Sequence, residues 1–135
     1  MVLLTGATGY IGGRLLRALE RRSVAVRCLC RNPESLRGRV AAGTQVVAGD
    51  LLDPASLGPA LAGVDTAFYL VHAMQSGREF ERLESEAARN FARAAREAGV
   101  RRIIFLGGLA HGDDLSPHIG AASRRATFCA RAGFP

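Results

Sequence analysis

Near the start of the chain stands TGATGYIGG, residues 5–13, with glycines at Gly6, Gly9 and Gly12 between a short apolar run and a helical pattern. Residues without a Cβ at this spacing suit one task. Gly6 lets the chain leave a strand sharply, Gly9 lets backbone approach a ligand, and Gly12 lets the following helix pack close. The helix N-terminus then presents unpaired N–H groups and the positive end of its dipole to an anion. The anion that fits is the pyrophosphate of a dinucleotide. Taken alone the pattern serves equally as a tight strand-to-helix turn, but here a strand precedes it and a helix follows, which is the context the binding reading requires.

A second chemistry-bearing place lies about 20 residues further on, where a carboxylate at the end of the second strand would take the adenosine ribose hydroxyls and select NAD. The sequence there reads RCLCRNPESL, with Arg31 at that place and no acid before Glu34. A guanidinium pairs with a 2′-phosphate and stacks on adenine, whereas a carboxylate repels the phosphate. NADP is therefore expected in preference to NAD. Arg14 and Arg37 are secondary candidates, each equally suited to an exposed helical face. Asp50 and Leu51 follow the third strand and are placed to meet the adenine; Val71 and His72 follow the fourth and border the path to the nicotinamide. His72 is the one histidine at a strand's carboxyl end, which makes it a candidate proton donor as well as an ordinary loop residue.

The elements that must hold these residues follow from periodicity. Val2–Leu4, Val24–Cys30, Gln45–Ala48, Asp65–Val71 and Arg101–Leu106 read as strands. Ile11, Leu15, Leu16 and Leu19 repeat at helical spacing up to Arg21 and Arg22. Asn32-Pro33 opens a short helix or turn through Leu36, and Asp53-Pro54 caps a helix through Leu61. Ser76 and Glu79 make a capping box before a stripe of Phe80, Leu83, Ala87, Phe91, Ala94 and Ala98, with Gly99 placed to end the helix. A last helical pattern runs over residues 121–132. Strands alternating with helices, joined by right-handed crossovers, give an α/β fold with a doubly wound parallel sheet of five strands in the order 3-2-1-4-5.

Composition narrows the partners. The 135 residues make one domain, 48% of them are apolar, and no apolar run approaches the roughly 18–20 residues of a membrane span. Neither a signal peptide nor a membrane partner is expected, and the location reads as cytoplasmic. The net charge is +6 and all eighteen basic residues are arginine; the chain contains no lysine. The arginines are interspersed with acids along helical patterns, without a basic tract bearing aromatics, so a solvated surface is read and not nucleic acid. Cys28, Cys30 and Cys129 are odd in number and lack metal-ligand spacing, so buried free thiols are read and no metal is expected.

Together TGATGYIGG, CRNP, GDLLDPASL and GVRRIIFLGG resemble the short-chain dehydrogenase/reductase superfamily, in its atypical and extended branch of NmrA-like and nucleoside-diphosphate-sugar-epimerase-like NAD(P)-binding Rossmann proteins. The resemblance covers essentially the whole chain. It implies that Gly6, Gly9 and Gly12 hold the pyrophosphate with Thr8, Tyr10 and Ile11 along it, Arg31 near the 2′-phosphate and Asp50-Leu51 at the adenine. It also implies that Val71 and His72, with Leu106 and Gly107, approach the nicotinamide side. The catalytic half of the pattern does not carry over. Active members use a Tyr-x-x-x-Lys pair, and here the tyrosines are Tyr10 and Tyr69 alone. Ser123-Arg124 stands where Ser-Lys is often found, Gly120 where the tyrosine would be, and Gly107-Gly108 at the serine position. Arg124 can hold a ribose hydroxyl but not act as the acid. Ser116 and His118 are the remaining substitutes, or parts of a loop closing over the site.

The chain closes on AGFP, which would ordinarily feed another strand. Residues 1–135 are accordingly expected to form a single NAD(P)-binding domain at the N-terminal part of a longer fold, with the rest of the substrate pocket beyond it. A fifth strand at the edge, RRIIFL, would pair with another chain and favour a homodimer. Three functions remain open: an NADP-dependent oxidoreductase or epimerase-like enzyme acting on an unidentified small molecule, a non-catalytic NADP(H)-sensing module, and a fold fragment without useful nucleotide affinity.

Overall fold

The computed structural model describes residues 1–71 and 78–106. The elements are β1 (Val2–Thr5), α1 (Tyr10–Arg21), β2 (Val26–Cys30), a 3₁₀ turn (Pro33–Leu36), β3 (Gln45–Ala48), α2 (Pro54–Leu61), β4 (Thr66–Tyr69), α3 (Arg78–Glu97) and β5 (Arg102–Phe105). They form one sheet in the order β3-β2-β1-β4-β5, and every pairing is parallel. All five carboxyl ends therefore lie along one edge. The expected architecture stands, and the short helix or turn expected between β2 and β3 is a single 3₁₀ turn, started by Pro33 and capped by Asn32 Oδ1 accepting from the Glu34 amide at 3.1 Å.

Alternation along each strand divides the core in two. Leu3, Leu29, Ala67, Tyr69 and Ile103 face α2 and α3, where they meet Leu57, Leu61, Ala88, Phe91 and Ala95. Leu4, Val26, Cys28, Phe68 and Leu70 face α1 and the 3₁₀ turn, meeting Leu16, Leu19 and Leu36. Small residues on α3 let it sit close to the sheet, and Phe91 is the anchor, its ring edge-on to Tyr69 with centroids 5.1 Å apart.

Local chemistry sets where elements stop. Both α1 and α3 end in the same hydrogen-bonded loop. Ser23 takes a left-handed φ of 55°, its amide donates to Glu20 and that of Val24 to Leu19. Gly99 does the same at φ 73°, followed by the Val100 amide donating to Ala95. Val24 is thus spent on capping α1, which is why β2 begins two residues later than its apolar run. One charged side chain sits inside a strand: Arg27 turns from β2 toward the end of α2, donating to Gln45 Oε1 and to the carbonyls of Ala60 and Ala62, each at 2.8 Å. It supplies the positive charge that the last turn of α2 lacks.

At the edge opposite the strands' carboxyl ends, Asp65 accepts from the Met1 ammonium at 2.9 Å and from Arg101 at 2.8 Å. These donors, the ammonium first, hold its carboxyl below the usual carboxylate range. The pair's contribution is complete above the unfolded value of about 4 and is lost as pH falls through the lower folded value. Asp65→Asn is expected to lower the thermal midpoint at pH 7, with the gap from wild type closing in acid below about pH 4, as a pH series of melting curves would show.

Candidate dinucleotide site

The site is built where β1 and β4 lie side by side and the helices on either side of the sheet part. Thr5, at the end of β1, is buried, and its hydroxyl donates to the Phe68 carbonyl and accepts from the Leu70 amide, both at 3.1 Å. The Leu70 amide thereby leaves the β ladder, which ends β4 at Tyr69. Gly6 follows with φ 72°, and a Cβ there would lie 2.9 Å from the Leu70 carbonyl oxygen. A Cβ on Gly12 would run into the Gly6 carbonyl, only 2.7 Å from its carbon. Both glycines are demanded by the fold itself.

Gly9 differs. Its φ is −81°, open to any residue, and among the described residues a Cβ there would meet nothing nearer than the Gly6 carbonyl at 3.4 Å. Gly9 also gives α1 no side-chain cap, and no acid stands in the first turn, an arrangement that suits an anion at this helix end. Thr8 and Gly9 are exposed, as are Tyr10 (78%) and Ile11 (52%). Arg14 lies over the Tyr10 ring at 5.5 Å and donates to its hydroxyl at 3.2 Å.

On the β3 side, Arg31 leaves β2 exposed and makes no hydrogen bond or ion pair among the described residues. Arg37, by contrast, is held by Glu34 at 2.6 Å. The Gly49 amide donates to the Cys30 carbonyl at 3.1 Å, which sets the turn after β3 beside Arg31. In that turn Asp50 Oδ1 accepts from the Leu52 amide at 2.9 Å and Leu51 is buried. Two thiols lie beneath. Burial, then Cys30 and Glu20, push the Cys28 thiol up to about 12. Burial also raises Cys30, against hydrogen bonds from the Asn32 amide and Ser35. Neither is a thiolate at neutral pH.

The carboxyl ends thus line up Asp50 and Leu51, Arg31, the Gly6–Gly12 turn, Val71 and Leu106 across the five strands. His72, Gly107, Ser116, His118 and Arg124 lie outside the described residues, as do Ser76, Cys129 and the helical pattern over residues 121–132. Tyr69 is 3% exposed against Phe91 and Phe105, a core residue and no proton donor. The sequence reading passed over Thr5, whose polar end to an apolar strand was the available signal, and Asn90, an amide within an alanine-rich helical stripe. Among the described residues no cluster of His, Cys, Asp or Glu could hold a metal, and no helix is long and apolar enough to cross a membrane.

Residues 6–129 match the family described as NAD(P)H-binding. This chain belongs to that family. It is 32% identical over 120 residues to an NAD(P)H azoreductase of Xenophilus azovorans, covering 89% of this chain and 40% of the azoreductase. Among solved structures it is similar to the triphenylmethane reductase of Citrobacter sp. complexed with NADP(H), at TM-score 0.87 and 25% identity over 100% of this chain and 47% of that one. It is likewise similar to an NADPH-dependent quinone oxidoreductase of Escherichia coli complexed with NADPH, at TM-score 0.84 and 26% identity over 99% and 46%. The chain therefore spans less than half the length of each of these three relatives. It is an NAD(P)H-binding domain with the Rossmann fold.

The two glycines separate folding from binding. Gly12→Ala is expected to cost about 1–3 kcal/mol of stability, since α1 must move off the turn. Gly9→Ala is expected to change stability by less than about 1 kcal/mol, the poorer N-cap being offset by the lower entropy of the unfolded chain, while weakening dinucleotide binding at least about tenfold, one tenfold step being about 1.4 kcal/mol. Denaturant titration and calorimetry of the two variants check this pair.

Proposed function

We propose that this chain is the cofactor-binding domain of an NADP(H)-dependent reductase acting on a small organic acceptor. The observation that carries the reading is Arg31, an exposed guanidinium with no partner among the described residues at the place where a carboxylate would select NAD. The neighbouring acid, Glu34, is engaged by Arg37 and so does not compete for it. Relatives named for the reduction of azo compounds, triphenylmethane dyes and quinones support a reductase acting on acceptors of that kind.

The residues fit the cofactor. Gly9 leaves room for backbone-to-phosphate contact, and the uncapped start of α1 offers amides to the pyrophosphate. Gly6, Gly9 and Gly12 would hold that group with Thr8, Tyr10 and Ile11 along it; Arg31 would take the 2′-phosphate, with Asp50 and Leu51 at the adenine. Val71 with His72, and Leu106 with Gly107, would border the nicotinamide, which when bound supplies or accepts the hydride. His72, Ser116, His118 and Arg124 are the candidates for moving a proton or holding a ribose hydroxyl. Residues 1–135 would be one domain of a longer fold, and the outer edge of β5, where Ile104 and Leu106 are exposed, is where a further strand or a second copy would pair.

A second reading is favoured by one specific fact. The chain has no lysine, and of its two tyrosines one is in the core and the other in the glycine turn. A domain so equipped would sense NADP(H) without turnover, as an NmrA-like regulatory module. An epimerase-like activity needs the same missing pair.

Calorimetry with NADP, NADPH and NAD distinguishes the cofactors. NADP is expected to bind more tightly than NAD, and Arg31→Ala to weaken NADP about 10–100-fold, the worth of a charge-assisted hydrogen bond, with NAD unchanged. Equal affinity of the wild type for NAD and NADP would remove the role given to Arg31. Loss of NADPH absorbance with quinones, azo dyes and aldehydes, followed on the protein encoded by the whole reading frame, separates reductase from sensor.

A further inference from the structure

The turn after β3 is gripped by two helices. From α2, the Ser56 hydroxyl accepts from the Asp50 amide at 3.0 Å and lies 3.1 Å from the Asp50 carbonyl and 2.7 Å from that of Asp53. From α3, Asn90 Nδ2 donates to the Leu51 carbonyl at 3.1 Å across 39 residues of sequence. The Leu51 side chain is buried in the core beneath those helices, so backbone and side chain are both tied down. Ala87, Phe91 and Ala94 of the same helix are buried, and an alanine at position 90 would continue the stripe. An amide on such a surface is explained by the polar group it meets.

We propose that Asn90 is a positioning residue for the adenosine half of the bound cofactor. By fixing the Leu51 carbonyl it sets the turn over residues 50–53 in its receiving shape beside Arg31. The inference rests on the reading of the site given above. A turn ordered beforehand does not have to be ordered by the ligand, so its anchor contributes affinity without touching what binds. The contribution falls on the adenine and ribose-phosphate end and not on the nicotinamide.

The probe is 2′,5′-ADP, which carries the adenine and 2′-phosphate but no nicotinamide. Asn90→Ala is expected to bind it roughly 3–10-fold more weakly, the factor that one ordinary hydrogen bond supplies. In the unliganded protein, hydrogen exchange should quicken at the Leu52 and Asp53 amides, which donate to Asp50 Oδ1 and the Asp50 carbonyl. Arg27→Met, which strips the far end of α2, should lower the thermal midpoint and leave both readouts unmoved. Should Asn90→Ala fail to fold, Asn90→Ser takes its place, polar but too short to reach Leu51. Unchanged affinity and exchange in a folded Asn90 variant overturns the proposal, as does an equal loss of affinity in Arg27→Met. NADP binding without 2′,5′-ADP binding overturns it alone and leaves the site reading standing. A wild type that binds neither removes the site reading, and the proposal with it.

Discussion

The turn after β1 lies tight against the end of β4. Thr5 bridges the Phe68 carbonyl and the Leu70 amide, and Gly6 lies against the Leu70 carbonyl with no room for a side chain. α1 in turn rests on the Gly6 carbonyl through Gly12. Three contacts therefore set where the helix N-terminus points and where the chain leaves β4. Because packing interactions do not deform continuously, a side chain added at either glycine displaces all of these elements together. The hydroxyl does what a further pair of backbone bonds would do, and it takes the Leu70 amide out of the ladder at the point where the sheet opens.

Against that junction, Gly9 stands apart as the one glycine of the motif that the fold does not need. Gly6 and Gly12 would be expected of any tight strand-to-helix turn. Among the described residues nothing crowds a Cβ at Gly9, room of the kind a backbone-to-phosphate contact uses. The chemistry around it is equally divided. The positive contributions, the α1 N-terminus and Arg31, suit a polyanionic ligand, while the thiols beneath are held protonated by burial and Tyr69 is sealed into the core. Within the described residues the domain is equipped to hold a cofactor.

Much of the frame was legible because its signals are local. Asp53-Pro54 announced α2, whose bounds agree with the expected ones, and Asp53 does accept from the Ala55 amide. The 3.6-residue period located α1 and α3, short apolar runs located the strands, and the handedness of crossovers ordered the sheet. Strand ends were read less well. Val24 belongs by composition to β2 but by hydrogen bonding to α1, and only the left-handed Ser23 reveals it. The glycine turn and the exposed Arg31 at the strands' carboxyl edge were legible, since these occupy set places relative to strand ends. Thr5, Ser56 and Asn90 were not, because what gives each its role is a partner in another element. No periodicity encodes a bond from Asn90 to Leu51. The freedom of Arg31 was half visible: Glu34 and Arg37 stand at a spacing that pairs them, yet pairing becomes a fact only when the 3₁₀ turn brings them together.

Arg27 has a consequence for how the chain avoids misfolding. Strands such as VRCLC, apolar on both faces, are poorly protected against sliding one residue along a neighbour, since Cys28 and Leu29 would each find an apolar surface on either side. Arg27 would not. Sliding by one residue would turn its guanidinium from the Ala60 and Ala62 carbonyls into the α1 side of the core, an unpaired charge among Leu4, Leu16 and Leu36. The same side chain that closes α2 thus serves as a key that only one alignment of β2 will accept.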